Sequence, residues 1–319
     1  MTTYIIRRLL WAVIILWIVT LVVFFSMRLL PGDPLIIFLG QSQEMGSLDE
    51  EQLDKMRADF GLDKPILMQY VSWIGDILTG DLGRSIYYRE KVSTLMLQRF
   101  PVTLYLGLTA FVIATLLGAF LGLLAAVRRG KWIDAFATIM ANIGVCVPVF
   151  WLGLLMMYVL GLRAGLLPIG GYTSPYDNLW MSLKQASMPV ACLAVTQMGF
   201  IARQTRSSML EVIRQDYIRT AWSKGLTERA VIITHALKNS LIPVITLLGI
   251  GVGYVISGSV LVETIFAIPG VGRLMITSLF AQDYVVIQSG TLVIAVIILI
   301  CNLVVDICYG WFDPRIRYG

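Results

Sequence analysis

Charged residues are scarce in this sequence. Of its 319 residues only 14% are Asp, Glu, Lys or Arg, while 57% are hydrophobic. A soluble globular protein usually has about 25% charged residues, so the composition excludes that class. About 20 helical residues cross a bilayer, and a helix satisfies its own backbone groups in lipid. We predict an all-α integral membrane protein with six transmembrane helices, at Leu9–Met27, Phe100–Val127, Ala135–Leu162, Gln185–Ala202, Ser240–Val262 and Tyr284–Val305, all without a charged residue.

Residues that carry chemistry are also few. The single histidine, His235, lies between two spans, which excludes a Ser-His-Asp or Cys-His catalytic site inside the membrane. The four cysteines show neither metal-ligand nor CxxC spacing, so we predict packing thiols without a disulfide. The sequence thus predicts no catalytic residue, no metal site and no cofactor in this chain. The cysteines are Cys146, Cys192, Cys301 and Cys308.

The sequence lacks an energy source of its own. Ionisable residues at membrane depth cost about 2.5–3.5 kcal/mol or more and are kept where they work, as in ion-coupled carriers. None lies well inside a span here, since Asp306 is at the inner end of the sixth. The nearest match to a phosphate-binding loop, AAVRRGKW, lacks the first Gly and the final Ser or Thr. If the protein moves a solute against a gradient, a partner subunit must therefore supply the energy. The disfavoured alternatives are a stand-alone channel, a secondary carrier and an intramembrane enzyme.

Basic residues are distributed unevenly over the loops. With the N-terminus inside, the inner segments hold 14 Lys and Arg residues, whereas the short outer loops hold three. Basic residues concentrate in cytoplasmic loops, so both termini are predicted to be cytoplasmic. The net charge of +5 reflects this sidedness and indicates membrane lipid, not nucleic acid, as the surrounding partner.

The loops divide the chain into four parts. The long outer loop is expected to fold as a helical cap, with one helix from Ser47 to Gly61 and a second from Pro65 to Gly80. Tyr70 and Trp73 lie on the apolar side of the second helix. The parts are an N-terminal transmembrane helix (1–27), the extracytoplasmic cap (28–99), a five-helix core (100–310) with cytoplasmic helices at about 203–240, and a cytoplasmic tail (311–319).

The inner loop before the fifth span has the pattern of two short helices. An apolar face is followed by Gly225, which predicts a left-handed C-terminal cap, and Thr227 can cap the second helix. The second helix should continue to Pro243, where the fifth span opens. The apolar face either lies on lipid headgroups or anchors a partner protein, and the residues alone leave both open. It consists of Tyr217, Ile218, Ala221 and Trp222.

Prolines and uncharged polar residues stand out within the spans. Pro148 predicts a kink in the third helix, and Pro189 should disturb the start of the fourth. Asn142, Thr196 and Gln197 either form hydrogen bonds between helices or line the path of a solute. With Pro148, they are the candidate residues of a translocation path.

The segment ETIFAIPGVGR after the fifth span has the composition of a re-entrant or capping loop. Its Pro and Gly residues favour irregular backbone, and it follows the end of an uncharged run. We interpret it as part of an outer gate. The candidate gate residues are Glu263, Phe266, Pro269, Gly270 and Gly272.

Nearly the whole chain resembles the permease subunits of bacterial binding-protein-dependent ABC importers of the dipeptide, oligopeptide and nickel branch. The resemblance rests on RLLPGDP at 28–34, FGLDKP at 60–65, GDLGRS at 80–85, TRSSMLEVIRQDYIRTAWSKGL at 205–226, HALKNSLIPV at 235–244, ETIFAIPGVGR at 263–273 and DPRIR at 313–317.

Part of the inner loop is similar to the family's EAA motif, in which two short helices dock into a groove on a cytoplasmic ATPase. Of its Glu-Ala-Ala-x-x-x-Gly core, the second Ala and the Gly are present as Ala221 and Gly225. Pro243 matches the Pro of the IxLP end, with Ile242 in place of Leu and a longer spacing. The resemblance implies an ATPase-coupling site formed by Tyr217, Arg219, Thr220, Ala221, Trp222, Gly225 and Leu226.

The resemblance also implies the assembly and its location. The fold would be the type I ABC importer permease (MetI-like) fold, in the bacterial cytoplasmic (inner) membrane. The expected partners are a second homologous permease subunit, two ATPase subunits that bind ATP and Mg, and an extracytoplasmic binding protein. The chain itself would not be an enzyme. Dipeptides or oligopeptides are the expected solutes, with glutathione and nickel chelates as alternatives.

Overall fold

A computed structural model of the chain describes residues 2–29, 63–257 and 259–312. Within these ranges the chain is helical, apart from loops and one isolated antiparallel bridge between Arg84 and Lys91. The helices are α1 (Thr2–Arg28), α2 (Ile66–Leu78), α3 (Val92–Val127), α4 (Trp132–Cys146), α5 (Val149–Arg163, π-helical from Met157), α6 (Leu179–Val212), α7 (Asp216–Ser223), α8 (Glu228–Ser240, π-helical over Val231–Leu237), α9 (Ile242–Ser257), α10 (Ser259–Ile265), α11 (Val271–Phe280) and α12 (Tyr284–Phe312).

Four helices in the described part of the chain are each long and apolar enough to cross a membrane. They lie in α1, α3, α6 and α12. Two bent pairs, α4 with α5 and α8 with the start of α9, bring the number to six if each pair is one span. Four of the six predicted spans are therefore present as single helices by length and composition. The third is present as a bent pair, and the second bent pair overlaps the predicted fifth span only from Ser240 to Gly249.

The third predicted span bends sharply at Pro148. Helix α4 ends at Cys146 and α5 begins at Val149, and their directions differ by 102°. Pro148 has no N–H to donate, and it disfavours helical backbone at Val147, whose ψ is 123°. The predicted kink is confirmed, and it is large enough to divide the helix in two.

Pro189 does not disturb the start of the fourth span, so this prediction was wrong in its position. Helix α6 begins ten residues earlier, at Leu179, and continues past the buried Pro189 to Val212. Asn178 sets the start, because its Oδ1 accepts a hydrogen bond of 3.0 Å from the Met181 N–H. The helix therefore extends beyond the uncharged run at both ends.

The chain divides into two units, 1–101 with 273–303 and 102–272 with 304–319. In the first unit, the helix predicted near Pro65–Gly80 is present as α2, and its Tyr70 and Trp73 rings lie 5.3 and 5.7 Å from the Phe24 ring of α1. Its place in an extracytoplasmic cap stays a prediction. The hydroxyls of Tyr70 and Thr20 are 2.9 Å apart. The cap helix predicted at 47–61 lies outside the described residues.

A buried carboxylate joins two segments of the first unit. Asp283 Oδ2 accepts a hydrogen bond of 2.5 Å from Ser85 Oγ and one of 3.1 Å from the Tyr87 N–H. Its Oδ1 accepts from the Val286 N–H in the first turn of α12. Burial raises the pKa of the neighbouring Tyr88, more than the nearby Arg99 charge lowers it. Asp283 thus caps α12 and also anchors the loop before α3.

In the second unit, glycines let the long helices approach closely. A Cβ on Gly144 of α4 would lie 2.6 Å from the Val195 carbonyl oxygen of α6. On the opposite side of the contact, a Cβ on Gly199 would lie 2.5 Å from the Ala141 carbonyl oxygen. Such small residues let backbones pack directly on one another in membranes. They fix α4 against α6 and thereby position the loops at the helix ends.

Candidate functional site

Helix α7 has an apolar face that is buried at its centre and exposed at its edges. Ile218 and Ala221 are 1% and 7% exposed, whereas Tyr217 and Trp222 are 43% and 46% exposed. At 100° per residue, the two buried side chains lie in the middle of the face and the two aromatic ones at its margins. The predicted single face is therefore divided: its centre holds the helix in place, and its margins remain accessible.

The buried side of α7 packs on the ends of other helices. It belongs to a hydrophobic cluster with Ala126 of α3, Met209 of α6 and Val231 of α8. Asn239 Nδ2 of α8 also donates a hydrogen bond of 2.8 Å to the Tyr217 hydroxyl. A displacement of α7 would therefore be passed on to α3, α6 and α8.

The turn after α7 has the conformation that was predicted at Gly225. Its φ is +74°, and the Gly225 N–H donates a hydrogen bond of 2.9 Å to the Trp222 carbonyl. A Cβ at this position would meet no atom within 4 Å. The requirement for glycine is therefore conformational and not steric.

The second helix of the pair begins as predicted but in a different way. Thr227 is at the N-cap position with extended backbone, yet its side chain forms no capping hydrogen bond. Its carbonyl accepts from the Val231 N–H at 3.0 Å. Because Thr227 is exposed, water can satisfy the first N–H groups of α8. The expectation of a side-chain cap was wrong, whereas the boundary before Glu228 is confirmed.

The other residues of the predicted coupling site lie on the exposed side of the same segment. Arg219 Nη1 is 3.5 Å from Asp216 Oδ1, an exposed ion pair that contributes little stability. Thr220 Oγ1 donates to the Asp216 carbonyl, and Leu226 is 38% exposed after the turn. Six of the seven predicted residues are thus at the surface of one segment, whereas Ala221 is buried. That this segment contacts an ATPase stays a prediction.

The predicted gate is organised around a buried carboxyl group. Glu263, at the end of α10, is 0% exposed, and its Oε1 accepts a hydrogen bond of 2.7 Å from Thr103 Oγ1. The same hydroxyl accepts a bond of 2.9 Å from the Val271 N–H. One threonine therefore connects Glu263 to the far end of the loop. Thr103 was missed in the sequence, because a lone threonine in an apolar helix gives no signal of a partner 160 residues away.

The glycines of the predicted gate loop are required by close packing. A Cβ on Gly270 would overlap the Glu263 carboxyl group, and one on Gly272 would lie 2.5 Å from Val260 Cα. Phe266 is buried in the core of the unit, and its carbonyl accepts from the Gly171 N–H at 3.0 Å. Four of the five predicted gate residues thus meet in one packed loop, and Pro269 lies half-buried beside them.

The predicted path residues do not share one surface. Asn142 Oδ1 accepts a hydrogen bond of 3.3 Å from Arg203 Nη2, and both line a cavity of about 200 Å³ with Arg206. Gln197 faces Gly251, where a Cβ would lie 3.2 Å from its Oε1. Asn142 therefore fits the alternative of bonding between helices. Pro148 is exposed at the bend and Thr196 is half-buried, and their place on a solute path stays a prediction.

An ion pair that the sequence did not single out joins α4 to α6. Asp134 Oδ1 and Oδ2 accept hydrogen bonds of 2.7 and 2.9 Å from Arg206 Nε and Nη2. Asp134 Oδ2 also accepts from the Gly130 N–H at 3.0 Å. Such a two-point contact is stronger and more directional than a single bond. It fixes the turn between α3 and α4 against the end of α6.

No cluster of three or more metal-binding side chains occurs among the residues that the structure describes. In the same residues Cys146, Cys192 and Cys301 are free thiols. Cys192 is buried, with its Sγ 3.7 Å from Met156 Sδ.

Comparison with known proteins identifies the family. Residues 118–318 match the family described as "Binding-protein-dependent transport system inner membrane component", and residues 1–107 match the N-terminal family of such membrane components. The chain belongs to this family. It is 38% identical over 323 residues to the dipeptide transport system permease protein DppB of Escherichia coli (strain K12), with 94% of each chain covered. It is 37% identical over 338 residues to the di/tripeptide transport system permease protein DppB of Pseudomonas aeruginosa (strain UCBPP-PA14), covering 100% of this chain and 99% of that one.

A solved structure supports the fold of this membrane component. A chain of the MetNI methionine ABC transporter, in an inward-facing conformation, matches with a TM-score of 0.54 at 17% identity. The match covers 69% of this chain and 97% of the other. The resemblance to importer permeases and the all-α membrane fold are both confirmed. The chain is a multi-pass membrane component of a transport system.

Proposed function

We propose that this chain is the transmembrane permease subunit of an ATP-driven importer that moves peptides from an extracytoplasmic binding protein to the cytoplasm. The dipeptide and di/tripeptide permeases that resemble it over nearly its whole length support a peptide as the solute. The protein would lie in the bacterial inner membrane with both termini in the cytoplasm. The 14 basic residues of the inner segments, against three in the short outer loops, favour this orientation.

The observation that carries the proposal is the geometry of α7. Tyr217 and Trp222 are half-exposed at the two margins of a helix face whose centre is held in place by the buried Ile218 and Ala221. Large aromatic side chains are frequent anchors at protein–protein contacts, and a rigid helix loses little conformational entropy on binding. We infer that this surface docks on a cytoplasmic ATPase subunit.

The energy would come from two ATPase subunits, which bind ATP and Mg. One chain presents one helix pair, so a second, homologous permease would present the other. When the two ATPases close on ATP, they would draw the two α7 helices together. The hydrophobic cluster that joins α7 to α3, α6 and α8 would pass this movement to the membrane helices. Peptide and nucleotide must then bind the inward-open and outward-open states with different affinity.

The first test addresses docking. A tagged full-length chain carrying Trp222→Ala should retain its ATPase about 30-fold less tightly than the wild type, because buried aromatic anchors commonly contribute about 2 kcal/mol or more. Trp180→Ala is the matched control, since Trp180 is also exposed but lies at the start of α6. Equal loss of the ATPase in both variants, or in neither, would refute the placement of the docking surface.

The second test addresses the solute. The chain with its co-purifying subunits is reconstituted in sealed vesicles with its binding protein, and uptake of labelled dipeptide, oligopeptide, glutathione and nickel chelate is compared with and without ATP. Peptide uptake that requires ATP is expected. Uptake of glutathione or a nickel chelate alone would replace the peptide, and uptake by this chain without ATPase or ATP would favour a stand-alone carrier.

A further inference from the structure

A basic groove lies between the end of α3 and the start of α8, with a volume of about 640 Å³. Its rim carries three cations, Arg128 and Lys131 in the turn after α3 and Arg229 in α8, with Glu228 as its one acid. Its floor is apolar and includes Val127 of α3. A cationic rim over an apolar floor suits a ligand with an anionic head and a hydrocarbon tail.

The three cations of the rim have no neutralising carboxylate among the residues that the structure describes. All three side chains are exposed, and no carboxylate among the described residues forms an ion pair with Arg128, Lys131 or Arg229. Arg206 differs in this respect, because Asp134 binds it at two points. The groove therefore retains a net positive charge of about +2 from these side chains and Glu228, which attracts anions.

The groove lies at the end of an apolar helix that is long enough to cross a membrane. Its floor includes Leu124 and Val127, in the last turn of α3, so it continues into the apolar surface of that helix. Ile232 of α8 covers the same floor from the other side. Trp132, beside Lys131, is 76% exposed, and exposed tryptophans concentrate at the membrane–water interface. A soluble anion would use the rim alone, whereas a lipid would use both rim and floor.

We propose that this groove is a binding site for an anionic phospholipid of the cytoplasmic leaflet. The phosphate lies among Arg128, Lys131 and Arg229, and an acyl chain lies along Val127 and Ile232. A bound lipid would contact both α3 and α8, so it would fill the space between a membrane helix and the second helix of the α7–α8 pair. The site is independent of the solute that the protein transports.

The test compares lipids directly on the intact protein. The tagged full-length chain, with the subunits that co-purify with it, is placed in nanodiscs containing equal amounts of phosphatidylglycerol and phosphatidylcholine. Native mass spectrometry after detergent release gives the ratio of the two lipids retained. The wild type should retain phosphatidylglycerol in excess, and Lys131→Gln/Arg229→Gln should reduce the ratio by up to about 25-fold, because each basic side chain near an anionic surface contributes a factor of about five.

A matched variant removes one arginine charge and one lysine charge at positions outside the groove. Arg214→Gln/Lys238→Gln also replaces one arginine and one lysine, both exposed and outside the groove, and it should leave the ratio unchanged. Equal ratios in the two double variants would overturn the proposal. So would a wild-type ratio near one, as expected if a protein segment covers the groove. Displacement of the bound lipid by millimolar inorganic phosphate would show a site for free anions instead.

Discussion

Replacing Thr103 by valine tests whether one hydroxyl holds the loop between Glu263 and Val271. Valine has nearly the same shape, so it removes two hydrogen bonds without leaving a cavity. The Val271 N–H loses its acceptor and the Glu263 carboxyl group loses one donor. Both groups are buried. Leaving the Val271 N–H without an acceptor costs about 1–3 kcal/mol, whereas Glu263 loses one donor and keeps its other contacts.

The expected effect follows from these two groups. With about 2 kcal/mol, in the middle of this range, the equilibrium for opening of the loop shifts by about 30-fold. Hydrogen exchange followed by mass spectrometry measures this directly, because the Val271 amide exchanges only when the loop opens. Peptides that cover residues 263–272 should exchange about 30-fold faster in Thr103→Val than in the wild type.

Two variants make the measurement specific. Thr103→Ser keeps the hydroxyl and should exchange nearly as the wild type does. Thr115→Val removes a hydroxyl from the same helix, but that hydroxyl bonds only to the Phe111 carbonyl within the helix, so the loop should be unaffected. If Thr103→Val and Thr115→Val exchange alike, the hydroxyl of Thr103 does not hold the loop.

Three further predictions concern the α7–α8 pair and the ion pair beside it. Gly225→Val should destabilise the turn by about 1–2 kcal/mol and reduce ATP-dependent uptake, while membrane insertion stays unchanged. Gly225→Asn should be tolerated, because Asn adopts positive φ more readily. Equal uptake by the two variants would contradict this. Ile218→Ala should lower the free energy of unfolding by about 2–5 kcal/mol, because the Ile218 side chain is 1% exposed. Thermal unfolding in detergent measures this change. An unchanged unfolding midpoint would count against the packing described for α7. Asp134→Ala should lower the free energy of unfolding by about 2–3 kcal/mol, because Arg206 loses its carboxylate partner. A double-mutant cycle with Arg206→Ala should give a coupling energy above about 1 kcal/mol. Additive effects of the two substitutions would show that the pair does not interact.

The sequence predicted best where the signal is local. The apolar face of α2 with Tyr70 and Trp73, the positive φ of Gly225 and the kink at Pro148 each depend on a few neighbouring residues. Helical periodicity and the restrictions on glycine and proline are sufficient for such features. The size of the bend at Pro148, 102°, depends on packing around it and could not be read from the proline.

The sequence predicted less where distant residues meet. Thr103 pairs with Glu263 and Arg206 with Asp134 across 160 and 72 positions, and one sequence contains no signal for either pair. The start of α6 was placed too late for a different reason. Absence of charge defines the part of a helix that suits lipid, whereas Asn178 defines where the helix begins.

Asp283 has a consequence for how substitutions in this protein are interpreted. Its carboxylate is at once the cap of a membrane helix and the attachment of a loop almost 200 positions earlier. Losing it would shift two parts of the protein together, and uptake would fall through this loss of structure alone. A mutational survey scored by growth on peptides would rank Asp283 with the solute path, so each such position needs a separate measure of folding before it is assigned to transport.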